Sequence, residues 1–431
     1  MTDLMPPDLA AACADVRLAT PADTVGAEPA RFVACPTSTK EAAALMRAAA
    51  GLNLSVVPRG TGSRLDWGQR PRSCDLIIDT RKLDQVVEHA AGDLVVTVQP
   101  GVRLSELQDK LATEGQRLAL DPPGGTIGGI LATGVAGPLR FRFGAPRDLL
   151  IGITVVLADG TVAKAGGKVV KNVAGYDLGK LFAGSYGTLG LITQATFRLH
   201  PLPAASAIVT VDRPDPVSAA AAVRAMADSP LAPSAVDIDW PETSAPIAVA
   251  ALLEGDETSV AERSSRISDI LKPRTAEIAV GPFPSGRPRI GWPGLAAGGT
   301  LVKVAFWPGH LGSVLSAIRT AAEEHGLDPA LGGSAAGVLQ VAVGQAAPPD
   351  TVGRFAGTLR DRLTGIMRSG GRLTERIPPS VASAVVLYAP SEVRSEVDMW
   401  GPVPSLDLMR AVKNQFDPDH RMAPGRFAGG I

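Results

Sequence analysis

The stretch Leu54-Ser55-Val56-Val57-Pro58-Arg59-Gly60-Thr61-Gly62-Ser63-Arg64 runs from a short apolar strand directly into a loop with two glycines. Glycine lets the backbone turn tightly and brings its N–H groups against an anion, while Thr61 and Ser63 add hydroxyls and the flanking arginines add charge. A pyrophosphate suits such a loop, but a lone G-x-G is also an ordinary tight turn, so the reading needs support from elsewhere in the chain. Upstream, Phe32-Val33-Ala34 reads as a strand and Ser38–Gly51 has helical periodicity, which makes residues 32–57 a strand, helix, strand unit. Downstream, Asp121-Pro122-Pro123-Gly124-Gly125-Thr126-Ile127-Gly128-Gly129 leads into Ile130-Leu131-Ala132-Thr133-Gly134, and Gly184-Ser185-Tyr186-Gly187-Thr188-Leu189-Gly190 leads into Leu191-Ile192. Three glycine clusters, each beside an apolar strand, exceed what turn-making requires. None is a strand-to-helix G-x-G-x-x-G or a P-loop, so neither standard nucleotide fold explains them.

Further strand signals fall at Leu76–Asp79, Leu94–Gln99, Ile151–Ala158 and Leu189–Leu199, with a helix over Leu104–Glu114. The texture changes after His200-Pro201-Leu202-Pro203. Beyond it, strands 206–211, 234–240, 247–253, 300–306, 336–343 and 383–388 alternate with helices 216–228, 258–272, 311–326 and 351–369 in two β-α-β-β-α-like passes. This order predicts an antiparallel sheet covered by helices on one face. Residues 273–299 read as an irregular connection, and Leu406–Gln415 as a helix that returns to the first domain.

At 431 residues the chain has room for two or three domains, and 42 Lys plus Arg against 43 Asp plus Glu leave a formal charge of −1. That balance argues against nucleic acid as the main partner. Gly at 47 and Pro at 36 stay below the roughly 25–30% typical of low-complexity disorder, so the chain is globular and rich in turns. Cys13, Cys35 and Cys74 are odd in number and far apart, which excludes a disulfide framework. The first seven residues carry no Lys or Arg, and the longest apolar run, Leu149–Ala158, is half a membrane span. The expectation is a cytoplasmic protein with no transmembrane segment, associated with a membrane only through partners.

Taken in order, Pro-Arg-Gly-Thr-Gly-Ser at 58–63, Thr-Ile-Gly-Gly at 126–129, Phe-Gly-Ala-Pro-Arg-Asp at 143–148, Lys-Asn-Val-Ala-Gly-Tyr-Asp at 171–177 and Gly-Ser-Tyr-Gly-Thr-Leu-Gly at 184–190 resemble the PCMH-type FAD-binding domain of the vanillyl-alcohol oxidase family. The run 166–190, and Gly137-Pro138 followed by Arg140, are most similar to the E subunit of bacterial glycolate oxidases. Phe416-Asp417-Pro418 and Pro424-Gly425-Arg426 match the family's closing segment. The resemblance implies an α+β fold: an N-terminal extension (1–30), a two-part PCMH-type FAD-binding domain (31–203), a ferredoxin-like antiparallel cap (204–405) and a C-terminal segment (406–431) returning to the FAD domain. It implies that Pro58, Arg59, Gly60, Thr61, Gly62 and Ser63 wrap the FAD pyrophosphate. Asp121, Pro122, Gly125, Thr126, Ile127 and Gly128 would line the flavin side, Thr133, Gly134 and Gly137 would follow the cofactor, and Gly184, Gly187, Thr188, Gly190 and Ile192 would close the adenine end. Lys171, Asn172 and Tyr176 would face the flavin edge or cap a turn.

Relatives that oxidise 2-hydroxyacids hold a divalent metal through two nearby histidines in the cap. Here His89, His200, His310, His325 and His420 are scattered, the nearest pair being His310 and His325, so no metal site is expected. Relatives also place Asn before Pro-Gly-Arg, where this chain has Ala423. No His or Cys lies between residues 90 and 199, which points to noncovalent FAD. The resemblance therefore implies an FAD subunit of a 2-hydroxyacid dehydrogenase complex, beside a glycolate oxidase D-like FAD subunit and an iron–sulfur subunit, with a small 2-hydroxyacid as substrate. The alternative is a self-sufficient FAD oxidoreductase of a hydroxyacid or sugar-like alcohol, with a cap arginine such as Arg362 or Arg372 holding a carboxylate. A role in assembly alone, with FAD bound but not reduced, also fits. A hydrolase fits poorly, since Ala183-Gly184-Ser185-Tyr186-Gly187 lacks the first glycine of G-x-S-x-G.

Overall fold

The computed structural model describes residues 4–167, 177–272, 299–369 and 382–431, which form two compact units. The first unit comprises residues 1–136, 144–202 and 405–431. Its first sheet runs Val16–Leu18, Phe32–Ala34, Leu76–Asp79, Val56–Arg59, and the last three strands are parallel, with Phe32 and Val56 both in register with Leu76. Helix Thr39–Gly51 makes the crossover between two of them. Ser38 caps it by accepting a hydrogen bond from the Glu41 N–H, and Ala42, Leu45, Met46 and Ala49 recur at helical spacing to bury one face against Phe32, Val56, Leu76 and Ile78. Within the N-terminal extension, helix Pro7–Ala12 inserts Leu9 into this same core.

The second sheet of this unit is antiparallel, in the order Val162–Gly166, Leu150–Val156, Leu191–Arg198, Val95–Val98, Val86–Ala90. Its three central strands are buried nearly throughout, and the two inward hydroxyls of Thr97 and Thr196 satisfy each other at 2.9 Å. The C-terminal helix Leu406–Phe416 also belongs here. Its Lys413, fully buried, donates to Asp417 (2.5 Å), to the Thr188 carbonyl (2.7 Å) and to the Met422 carbonyl (2.9 Å). Val56 N–H donates to the Arg421 carbonyl and Ala423 N–H to that of Val56, so the final segment adds a parallel bridge alongside the strand that feeds the first glycine loop.

The second unit comprises residues 137–143 and 203–404. Seven antiparallel strands are ordered Ala205–Arg213, Ile247–Gly255, Ala235–Trp240, Ala330–Ser334, Val338–Val343, Thr300–Ala305, Ser383–Tyr388. Helices Pro216–Ala227, Glu257–Leu271, Leu311–Glu324 and Pro349–Ser369 share one core with the sheet face carrying Val249, Ile238, Val302 and Leu339. The β-α-β-β-α order thus occurs twice. Its second copy holds a strand, Ala330–Ser334, outside the 336–343 segment expected from the sequence, because Ala-Leu-Gly-Gly-Ser lacks β-branched residues. The segment Gly137–Phe143, which the sequence groups with the first domain, clusters with this unit: Leu139 and Phe143 pack on Ala235, Leu252 and Ile208, on the sheet face away from the helices. Lys171, Asn172, Tyr176 and Arg372 lie outside the described residues.

Candidate functional site

In the first unit the parallel strand Val56–Arg59 delivers its loop to the rim of a cleft of about 490 Å³. Pro58, Arg59, Gly60, Thr61, Gly62 and Ser63 line it, together with Thr126, Thr133 and Gly187 from the other two glycine clusters. A second recess of about 390 Å³ shares Pro58, Arg59, Gly60 and Gly187 and is walled by Gly128, Gly190 and Ile192. The three loops distant in sequence therefore meet around one space.

The glycines serve two ends. Gly62 (φ +79°) and Gly187 (φ +77°) occupy left-handed backbone that a side chain would strain, and a Cβ on Gly60 would collide with the Thr126 side chain. Gly129 is different: it sits in helix Ile127–Thr133 with ordinary dihedrals and lines both recesses, and a Cβ there would touch only Thr126 Oγ1, at 3.4 Å. Its bareness leaves room for a ligand, not for the fold. Thr126 accepts from the Gly129 N–H, capping that helix, and Thr133 Oγ1 donates back to the Gly129 carbonyl at 2.7 Å.

Charge at the site departs from the expectation for the first loop. Arg59 faces the cleft but is paired with Asp23 (2.9 Å) and Asp79 (3.0 Å), so its charge is already matched within the protein. Hydrogen bonds from Arg17, opposed by burial and aided by Thr20 and Arg59, hold the Asp23 carboxyl far below the usual carboxylate range. Arg64 carries the positive character instead. It is buried, donates to the carbonyls of Pro123 (2.8 Å) and Gly124 (3.0 Å), stacks over Trp67, and burial lowers it to about 10. These bonds tie the first loop to the second. Arg426, from the closing segment, donates to the carbonyls of Arg64 and Leu65 and also lines the cleft. Tyr186, buried with a left-handed backbone (φ +55°), completes the wall, and burial pushes its phenol upward so that it stays protonated.

Among the expected residues, Asp121, Pro122, Gly125 and Ile127 line neither recess; Ile127 is in the core, and a Cβ on Gly125 would meet the Arg64 guanidinium. Gly134 and Gly184 approach each other backbone to backbone, Cβ space to Cα being 3.4 Å. Gly184 and Thr188 line a separate groove with Leu408 and Val412. Gly137 is in the second unit. Sequence reading missed Gly129, Ala132, Tyr186 and Arg426 as cleft residues. Ser185 Oγ donates to the Phe182 carbonyl from a buried position, which is not the setting of a nucleophile. Arg362 pairs with Glu324 on neighbouring helices. Among the described residues no group of His, Cys, Asp and Glu is arranged to hold a metal, and no helix is long and apolar enough to cross a membrane.

A family model described as "FAD binding domain" matches residues 30–166. Residues 30–166 thus carry an FAD-binding domain. The residues fit this cofactor: a buried arginine with no carboxylate partner among the described residues, a glycine whose Cβ space opens into the cleft, and hydroxyls on Thr61, Ser63 and Thr133 suit a phosphate-bearing, flat ligand. Glycolate oxidase subunit GlcD of Bacillus subtilis is 36% identical over 174 residues, 40% of this chain and 37% of the relative. D-lactate dehydrogenase [cytochrome] 1 of Saccharomyces cerevisiae is 36% identical over 185 residues, 42% of this chain and 32% of the relative. The matched region thus spans about a third of each relative. In fold, p-cresol methylhydroxylase matches 97% of this chain and 95% of its own, with a TM-score of 0.71 at 16% identity. Alkyldihydroxyacetonephosphate synthase matches 93% and 78%, with a TM-score of 0.66 at 18% identity. FAD binding follows from the matched domain, and the α+β architecture is shared with these structural neighbours.

Proposed function

We propose that this chain is the FAD-binding, E-like subunit of a cytoplasmic glycolate oxidase-like complex that oxidises a small 2-hydroxyacid, alongside a D-like FAD subunit and an iron–sulfur subunit. The observation that carries the reading is the glycine-walled cleft with Arg64 buried at its rim, joined to sequence similarity with proteins named as a glycolate oxidase subunit and as D-lactate dehydrogenases. Bound FAD supplies a two-electron acceptor. The chain's own residues do the rest. Pro58–Ser63 and Gly187 would hold the phosphates, Arg64 would offset their charge, Gly129 and Ala132 would give a flat ring close access, and Tyr186 would exclude water.

Co-expression of the chain with its genomic neighbours tests the proposal, by measuring FAD content and dye reduction with glycolate and D-lactate. Activity of the assembly with little in the isolated chain supports it. Rapid flavin bleaching in the isolated chain would favour the second reading, a self-sufficient oxidoreductase.

A further inference from the structure

The first unit carries a groove that shares no lining residue with the glycine-walled cleft, between helix Leu406–Phe416 and the short helix Gly179–Phe182. Its walls are mainly apolar: Leu181 and Leu189 on one side, Leu408, Met409 and Val412 on the other, with Phe427 completing the lining. In the longer helix the side chain that is fully buried is Lys413, while Leu408 and Val412, four residues apart, form an apolar row on the groove side. Leu408 remains 66% exposed and Leu181 40%. One exposed leucine needs no explanation, but two on opposite rims of a single apolar groove mark an interaction surface.

The charges on the rims say what covers it. Asp407, 99% exposed, precedes Leu408, and Lys180 precedes Leu181. Each is held by a neighbour on its own element, Asp407 by Arg410 at 3.4 Å and Lys180 by Asp177 at 3.0 Å. Exposed pairs of this kind contribute little, so they exchange readily for new partners. One rim therefore offers an acid beside a leucine and the other a base beside a leucine. The Phe182 and Phe416 rings meet edge to face, with centroids 5.5 Å apart, which sets the short helix beside the C-terminal end of the long one, whereas Asp407 and Leu408 stand at its N-terminal end. A two-fold axis through the groove exchanges both rims and ends. It carries Asp407 and Leu408 of one copy onto Lys180 and Leu181 of the other, and the reverse.

We propose that this groove is the interface of an isologous dimer of this chain, in which Leu408 of each copy enters the groove of the other and Asp407 pairs with Lys180 across the boundary. The proposal stands apart from the flavin reading. Sedimentation of the full-length FAD-loaded chain over a concentration series tests it, with FAD content and circular dichroism recorded for each variant to show that the fold is kept. The wild-type chain is expected to reach twice the monomer mass. Leu408→Glu, at an exposed position that the fold does not need, should weaken association by about tenfold or more. Lys180→Glu and Asp407→Lys should each weaken it by about tenfold, and the two together should restore it, because the cross-boundary pair is rebuilt with its signs reversed. A chain that stays monomeric at every concentration, including one that uses Leu408 only to bind a different protein, overturns the proposal. So does a dimer indifferent to Leu408→Glu, or a double reversal that restores nothing.

Discussion

Gly129→Ala separates the needs of the fold from those of the ligand, because at this position they have opposite signs. Gly129 lies in a helix with unstrained dihedrals, so a methyl gains up to about 1 kcal/mol of helix propensity. For a unit of this size that raises the midpoint of thermal unfolding of the flavin-free protein by about 2–4 °C. The same methyl meets only Thr126 Oγ1 within the protein and otherwise stands in the space shared by the two recesses. If FAD fills that space, the methyl overpacks it at a cost of about 1–3 kcal/mol, a roughly 5- to 150-fold weaker cofactor. The assays are calorimetry of the apoprotein and quenching of free FAD fluorescence on titration with it. A stabilised apoprotein with unchanged FAD affinity would refute the placement of the flavin against this helix.

Three further outcomes are expected. Acid precipitation should release intact FAD into the supernatant, since residues 90–199 offer no His or Cys for a covalent link; colour left in the pellet would contradict this. Lys413→Met strands the buried Asp417 carboxylate and should cost about 3–5 kcal/mol in urea unfolding, and a loss below 1 kcal/mol would show the pair to be dispensable. Asp23 has a depressed folded-state pKa, so its contribution is fully present above its unfolded value of about 4 and fades as pH falls below it. Asp23→Asn should therefore lower stability at pH 7 and flatten the loss between about pH 4 and pH 2, as read from denaturation midpoints across that range.

What the sequence made legible was local. Each glycine cluster adjoins an apolar strand, so Gly60, Gly62, Thr126 and Gly187 could be read as one cradle before any coordinates. Partners far along the chain were not legible. Arg59 looked like a phosphate ligand because nothing nearby marks Asp23 and Asp79 as its counter-ions, and Arg426 reaches the cleft only because Met422 and Ala423 run beside Val56. The strand Ala330–Ser334 hid behind its glycines, which periodicity does not reveal as strand. Ala423, read as a lost amide, sits at φ +42°, a backbone region that asparagine tolerates better than alanine.

The closing segment has a consequence for the order of events during synthesis. A ribosome makes the three glycine loops early, yet the wall bearing Arg426 and the Lys413 tie to Thr188 arrive only after residue 404. A nascent chain holding everything up to residue 404 would have its loops but not the segment that braces them. Cofactor capture is thereby postponed until translation has passed the second unit, and prematurely terminated products would emerge colourless and open to proteolysis.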